Sequence, residues 1–599
     1  MTLKTFLGFS MILLGSISVM AQTDSLDRTI ASILKKYQIP GAAITLVDKD
    51  TVLYTGYFGK SDLMGNRSVD GATKFTIGSI SKTFLALGIV SAQEQGLLSI
   101  SSPLREMSPG FNFTNQYSQE QLTLAHLLEH TSGFDEAHFD IFARADANTP
   151  FQSVLGQSQH ALTTRWAPGS YFSYNTLNYI AAAAILEDKV DGDFVGFMRE
   201  NILEPLGMND ATYHPEANPD WSKGYSSAYE EPFPSLPQWP AGSLTTNLKG
   251  MQNFTRFFLN EGSYNGNQVV SSTSILAMEI PETSLLARNG VKFGYGKGLM
   301  QEFIGNSVFY GHNGSYGGFL SGFGYSRDLN IGYVILINDR EGSKAIKEIK
   351  NELLKPYRSD PTPANEATHS PPQKFEGAYQ PITFNVEVLY PFMRLIDLQV
   401  LDAEGEHLIQ SSMMGGAIRW TAVDERKFQK DNEPQASTVF IEENRDTMWL
   451  GETSYIRISK ISAYIQFYLA LLCIAILIFS FFSLGISCIR ARVMKGKVNR
   501  GVLFPFLACI FLMVSFTGLV FFYDPEKLYS AGAMVYYFSS WLFLVFSVIS
   551  GYFFVHGLFV KPSLGKWMRF QVRIASVVNL IIASYFMYWG LIGLTLWNY

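Results

Sequence analysis

The simplest arrangement in this chain that could make a nucleophile is a serine followed three residues later by a lysine. A hydroxyl attacks a carbonyl poorly until a neighbouring base takes its proton, and residues three apart share a helix face. A lysine serves as that base in its neutral form, which desolvation or nearby positive charge favours. The spacing occurs at Ser32/Lys35, Ser79/Lys82 and Ser563/Lys566. At Ser79 it follows the apolar run Phe75-Thr76-Ile77-Gly78 and opens a helical pattern, Thr83 to Gln95. Ser79 then falls at a helix N-terminus, which favours developing negative charge. Ser32/Lys35 lies in an amphipathic helical pattern, and Ser563/Lys566 in a basic connection between apolar segments.

Three further groups carry possible chemistry. His126-Leu127-Leu128-Glu129-His130 has the spacing of an inverted zinc-peptidase motif, but His130 runs straight into Thr131-Ser132-Gly133, and no metal is expected there. Tyr174 closes the stretch Pro168-Gly169-Ser170-Tyr171-Phe172-Ser173-Tyr174, with Asn175 and Thr176 after it. His312-Asn313-Gly314-Ser315 offers an imidazole in a small-residue segment.

The elements that must position these groups are unevenly distributed. A chain of 599 residues is too long for one core. The net charge of −6, with no basic stripe, offers no field for nucleic acid, so no nucleic-acid partner is expected. Residues 1–21 read as a secretory signal peptide, cleaved after Ala21. Residues 22–355 mix period-2 runs such as Ala42 to Val47 with helical stretches, the pattern of an α+β domain. Residues 356–372 are a proline-rich linker, and 373–460 a small antiparallel β domain in which Phe384, Val386, Val388 and Tyr390 alternate as a strand.

Residues 461–599 hold four apolar segments long enough to cross a bilayer, about 463–488, 502–523, 533–560 and 574–597, each without Asp, Glu, Lys or Arg. Basic residues crowd the connections after the first (Arg490, Arg492, Lys495, Lys497, Arg500) and third (Lys561, Lys566, Arg569, Arg573). Both connections are expected in the cytoplasm, which leaves the N-terminal body on the outer side of a bacterial-type cell membrane. Cys473, Cys488 and Cys509 all fall in or beside this tail, so the exported body uses neither disulfides nor thiol chemistry. His556 is the one ionisable side chain inside these segments and sits near a span end, which favours an anchor over a transport path.

Taken in order, Ile39-Pro40-Gly41-Ala42-Ala43, Ile77-Gly78-Ser79-Ile80-Ser81-Lys82-Thr83, Leu127 to Phe134, Pro168 to Tyr174, Glu204-Pro205-Leu206-Gly207-Met208, Pro240-Ala241-Gly242-Ser243 and Gly311-His312-Asn313-Gly314 resemble the class C β-lactamase-like, penicillin-recognising serine hydrolases. The resemblance covers roughly Asp27 to Lys355. It implies an antiparallel sheet flanked by helices with a helical lobe, Ser79 as nucleophile, and Lys82 with Tyr174 as proton carriers. It also implies an oxyanion hole from the N–H groups of Ser79 and Ser315. Substrate contacts are expected from His312, Gly314, Thr176 and Asn175, with the His312 segment on an edge strand.

One position departs from the family pattern. Where relatives carry Tyr-x-Asn, this chain reads Tyr174-Asn175-Thr176, and a hydroxyl lacks the separate donor and acceptor ends of an amide. The expectation is a membrane-anchored hydrolase of an amide or ester, without cofactor, acting on a peptide or small molecule of the cell envelope. The alternative is a non-catalytic receptor that binds, or is acylated by, a ligand and relays through its membrane helices.

Overall fold

The computed structural model describes residues 24–593 apart from 118, 137–149, 153–154, 156–161, 214–220, 232–237, 360–371, 386–388, 432, 444–445, 523–530 and 560–563. The expected signal peptide, most of the proline-rich linker, Ser563 and Lys561 lie outside these residues.

Seven strands form one antiparallel sheet: β1 (Gly41–Val47), β2 (Val52–Asp62), β3 (Arg67–Ser68), β4 (Met300–Ile304), β5 (Ser307–Tyr316), β6 (Phe319–Ser326) and β7 (Ile331–Ile337). Their order across the sheet is β4-β5-β6-β7-β1-β2-β3. The central strands β1 and β7, GAAITLV and IGYVILI, are buried at every position. Such continuous apolar runs suit strands covered on both faces.

One face is covered by helix α1 (residues 24–36) together with a C-terminal helix. Ser32 and Lys35 lie on the solvent side of α1, while Ile33 and Leu34 pack on the sheet. On the other side α2 (Ser81–Glu94) and α3 (Thr176–Lys189) form the heart of a helical lobe, joined by α4 (Leu248–Leu259). In α4, Met251, Phe254, Phe257 and Phe258 recur at helical spacing and are buried, and the Asn247 side chain caps its N-terminus. α5 (Ser343–Leu354) completes the outer face through Ile349 and Leu353.

Eight strands between Gly377–Pro381 and Tyr455–Ile458 close into an antiparallel barrel, the last pairing with the first from Ala378 opposite Ile458. Closure removes the exposed edges that a small open sheet would carry. The barrel is filled by rings, with Phe375 stacked on Phe440 at 4.2 Å and Trp449 stacked on Tyr455 at 4.9 Å.

The alternating run from Phe384 to Tyr390 is not a barrel strand. Phe384 is in coil, Val386 and Val388 lie outside the described residues, and Tyr390 begins a helix, α6 (Tyr390–Ile396). Pro391 sits in the first turn of α6, where its missing N–H costs nothing. Phe384 packs instead on Tyr390, and Tyr390 on Trp589.

Four helices follow, α7 (Lys460–Val493), α8 (Arg500–Phe522), α9 (Ala531–Phe559) and α10 (Lys566–Tyr588), each long and apolar enough to cross a membrane. At 34 residues α7 is about 50 Å long, well beyond the roughly 30 Å hydrocarbon layer. α10 begins at Lys566 rather than near Ile574, so Lys566, Arg569 and Arg573 ride in its first two turns. The up-down course brings the C-terminal ends of α7 and α9 to the N-terminal ends of α8 and α10. Leu484, Cys488, Val502, Val572 and Ala575 pack together there, and Arg573 donates to the carbonyl of Gly557. The opposite end of the bundle meets α6: Tyr585 donates to the carbonyl of Pro391 at 2.5 Å, and Phe392 packs on Phe516 and Phe586.

Candidate active site

Ser79 occupies a single 3-10 turn, Gly78–Ile80, that runs directly into α2. Gly78 has φ +54°, and a Cβ there would stand 2.3 Å from the backbone nitrogen of Ser315. A Cβ on Gly314 would stand 2.0 Å from the carbonyl oxygen of Ile77. Two glycines thus let the nucleophile turn and strand β5 touch backbone to backbone, bringing the peptide groups of Ser79 and Ser315 alongside. Ser321 secures the contact by donating to the same Ile77 carbonyl at 2.7 Å.

β5 is not the edge strand that the resemblance implied. β4 lies outside it, but β4 pairs only from Met300 opposite Gly311 to Ile304 opposite Ser307. The short hairpin therefore leaves His312–Tyr316 uncovered on the side facing Ser79.

Lys82 is fully buried in the first turn of α2, and its Nζ donates to Ser79 Oγ at 3.0 Å. A longer contact of 3.4 Å reaches the carbonyl of Ala241, and the ammonium lies 5.1 Å from the centre of the Tyr174 ring. Ser79 and Tyr174 are partly exposed, so the pair opens to solvent on one side and is sealed on the other.

His312 is buried, and both its nitrogens are committed. Nδ1 lies 2.5 Å from the carbonyl of Asn313 and so carries the proton, which makes Nε2 the acceptor for the Tyr295 hydroxyl at 2.8 Å. Burial, reinforced by the charge of Lys82, holds the imidazolium down to about 3. Burial also raises the Tyr295 phenol well above its usual range, so it remains a donor. His312 is therefore a neutral wall of the site.

The inverted zinc spacing is spent elsewhere. His126 closes a capping box with Thr123, and burial lowers its pKa to about 4. Glu129 pairs with Lys297 at 3.0 Å and accepts from the backbone of Glu282 and Thr283. His130, with φ +55°, accepts from the N–H of Asn175 at 3.1 Å while its carbonyl accepts from Ser173 at 2.9 Å. It is a buttress that shapes the Tyr174 segment.

Two expected substrate contacts are placed differently by the structure. Asn175 is completely buried, and its Oδ1 caps α3 by accepting from Leu177 at 2.7 Å. Its side chain is spent on the N-cap of α3 and is closed off from solvent. Thr176 turns its hydroxyl to Glu136 Oε1 at 2.8 Å, and its N–H donates to the other carboxylate oxygen. The half-buried setting pushes the Glu136 carboxyl up to about 7 against the opposing charge of Lys82 and the Thr176 donors.

Sequence reasoning missed Tyr295 and Glu136. For Tyr295 a signal existed, a large aromatic set between Gly294, Gly296 and Gly298, which marks a ring held in a tight turn. Glu136 has no local signal. The barrel side also reaches the site: Arg165 pairs with Asp135 at 3.3 Å and donates to the carbonyl of Phe384 at 2.9 Å. The Ser173 hydroxyl lies 3.2 Å from the same carbonyl, and the Glu136 N–H donates to the carbonyl of Asn385 at 3.0 Å.

A beta-lactamase family model matches residues 26–355. Protein flp of Staphylococcus aureus (strain N315) is 24% identical over 342 residues, covering 55% of this chain and 66% of that protein. Penicillin-binding protein 4* of Bacillus subtilis (strain 168) is 27% identical over 199 residues, 33% of this chain and 43% of that protein. The chain thus spans just under two thirds of the first relative's length and less than half of the second's. Among solved structures, the octameric penicillin-binding protein homologue from Pyrococcus abyssi aligns with a TM-score of 0.50 at 19% identity, over 72% of this chain and 99% of that one, a likeness of fold. Over more than half of its length, then, this chain is a member of the beta-lactamase family.

Proposed function

We propose that the chain is a membrane-anchored serine hydrolase, its catalytic domain on the outer side, that cleaves an amide or ester through an acyl-enzyme on Ser79. The observation that carries this reading is the buried Lys82 Nζ at 3.0 Å from the partly exposed Ser79 Oγ. Lys82, with Tyr174 beside it, takes the hydroxyl proton as Oγ attacks the substrate carbonyl carbon. The resulting oxyanion accepts from the N–H groups of Ser79 and Ser315. The proton passes to the leaving nitrogen or oxygen, the carbonyl re-forms as an acyl-Ser79 ester, and water releases the acid by the reverse sequence.

The outward orientation is supported by charge. Arg490, Arg492, Arg500, Arg569 and Arg573 gather at the end of the helical bundle away from α6 and the barrel. Positively charged ends stay on the cytoplasmic side.

The full chain in detergent micelles, treated with a fluorophosphonate and a fluorescent penicillin, tests the reading. Labelling of wild type but not Ser79→Ala is expected, with turnover of p-nitrophenyl esters, D-amino-acid anilides or nitrocefin. Equal labelling of both proteins, or of neither, refutes it. One observation favours a receptor instead: the strap from Phe384 to α6 ties the Tyr174 segment to α8 and α10. Stable labelling without turnover of any substrate would select that reading.

A further inference from the structure

α7 ends with Arg490 and Arg492 in its last turn, where positive side chains suit the negative C-terminal end of a helix dipole. The two helix starts beside it do the reverse. α8 opens on Arg500 and α10 on Lys566, with Arg569 and Arg573 one and two turns further in, and neither helix has an acidic residue in its first turn. Positive charge at a helix N-terminus is unfavourable, and no side chain caps the first N–H groups of α10.

The tail supplies no carboxylate to answer these charges. Beyond Lys460 the acidic side chains are Asp524 and Glu526, which fall in sequence between α8 and α9, whereas the connection from α9 to α10 runs through Val560, Lys561, Pro562 and Ser563. The arginines also face a cavity. A space of about 270 Å³ between α8, α9 and α10 is lined by Arg500, Arg569, Arg573 and His556, with Phe553 and Val572 as apolar walls. Arg569 and Arg573 are half-buried, and Arg573 is positioned by donating to the carbonyl of Gly557 at 3.1 Å. A charge bias that only sets orientation needs basic residues in the connections, as Lys495 and Lys497 are. It does not need guanidinium groups turned between helices.

We propose that this cavity binds the phosphate of an anionic phospholipid from the leaflet in which this end of the bundle lies. Guanidinium groups match phosphate oxygens as planar forks, and the uncapped start of α10 adds aligned N–H groups. Arg569 and Arg573 lie roughly 5 and 10 Å along α10 from its start, a depth suited to the headgroup layer. Phe553 and Val572 meet the glycerol end of the acyl chains, a contact that a free phosphate ion cannot use. The assignment rests on the membrane anchoring proposed above and is independent of the chemistry at Ser79.

The full chain in dodecylmaltoside micelles is titrated with fluorescent phosphatidylglycerol and phosphatidylcholine. The variants are Arg569→Gln/Arg573→Gln in the cavity and Arg490→Gln/Arg492→Gln, which removes the same charge from the same end outside it. Wild type should bind phosphatidylglycerol about tenfold or more tightly than phosphatidylcholine, and the cavity pair should weaken phosphatidylglycerol by about tenfold or more while the control pair stays within about threefold. Arg569→Gln alone, which gives up no ion pair among the described residues, should weaken it about threefold or more and so decides the matter if the double variant misfolds. Equal losses in both pairs, or no preference for phosphatidylglycerol, overturn the proposal. Displacement of the lipid by millimolar inorganic phosphate would make the free ion the ligand and overturn the lipid assignment. Release of wild type from membranes by alkaline carbonate removes the anchoring reading together with this one, whereas retention without the lipid preference overturns the site alone.

Discussion

Replacing Lys82 by methionine separates the chemistry of this site from its stability, because the two effects are expected to have opposite signs. Methionine has nearly the same length and removes the amine. Lost with it are the contact to Ser79 Oγ at 3.0 Å, the long contact to Ala241 at 3.4 Å, and the ammonium 5.1 Å from the Tyr174 ring. A hydrogen bond to a charged group contributes about 1.5–3 kcal/mol, and the cation over a ring about 0.5–2 kcal/mol. Against these stands the cost of burying an ammonium with 1% of its surface exposed, several kcal/mol per ion. The balance is close to zero or in favour of methionine. The rate behaves differently, since a positioned general base contributes about 10²–10⁴-fold. In detergent micelles, Lys82→Met should melt at or above the wild-type temperature while its fluorophosphonate labelling rate falls a hundredfold or more. A labelling rate within about tenfold of wild type, with the fold intact, would show that Lys82 is not the base.

Two other expectations follow from the same geometry. His312 is held down to about 3, below its unfolded value of about 6.5. Below that unfolded value the unfolded chain gains a proton that the folded chain refuses, so the His312 contribution to stability is flat above pH ~6.5 and falls toward pH 3 by at most ~1.4 kcal/mol per pH unit. Melting curves at about pH 7.5 and about pH 5 should show wild type losing more, or gaining less, on acidification than His312→Gln; the same pH dependence in both proteins refutes the argument. Gly78→Ala forces a side chain to within 2.3 Å of Ser315 N at a φ of +54°. Displacing that contact should cost about a hundredfold in labelling through the oxyanion donors, and labelling at the wild-type rate would contradict the close approach.

What could be read from the sequence was set by the range of the interaction. Ser79 and Lys82 are three residues apart on one helix, so their meeting is a local consequence of helix geometry. The strand Ala42–Val47 was legible from its β-forming residues, although it read as a period-2 run and β1 is buried at every position; the antiparallel sheet itself came from the resemblance. Asn175 misled because adjacency to Tyr174 says nothing about direction, and its side chain turned along α3 to cap it. The Phe384–Tyr390 alternation misled because its two ends belong to different elements, Phe384 to coil and Tyr390 to α6. Glu136 and Tyr295 reach the site across 40 and 17 residues to Thr176 and His312, separations at which no periodicity speaks.

The contacts of Phe384 and Asn385 bear on what counts as one inherited piece. The family segment ends at residue 355, yet two peptide carbonyls beyond it satisfy Arg165 and the Glu136 N–H and lie against Ser173. A polypeptide ended after Leu354 would keep every motif of the lineage and lose these acceptors. The matched segment is thus shorter than the packed one: the strap beside the barrel supplies bare backbone to it, which leaves no trace in side-chain identity.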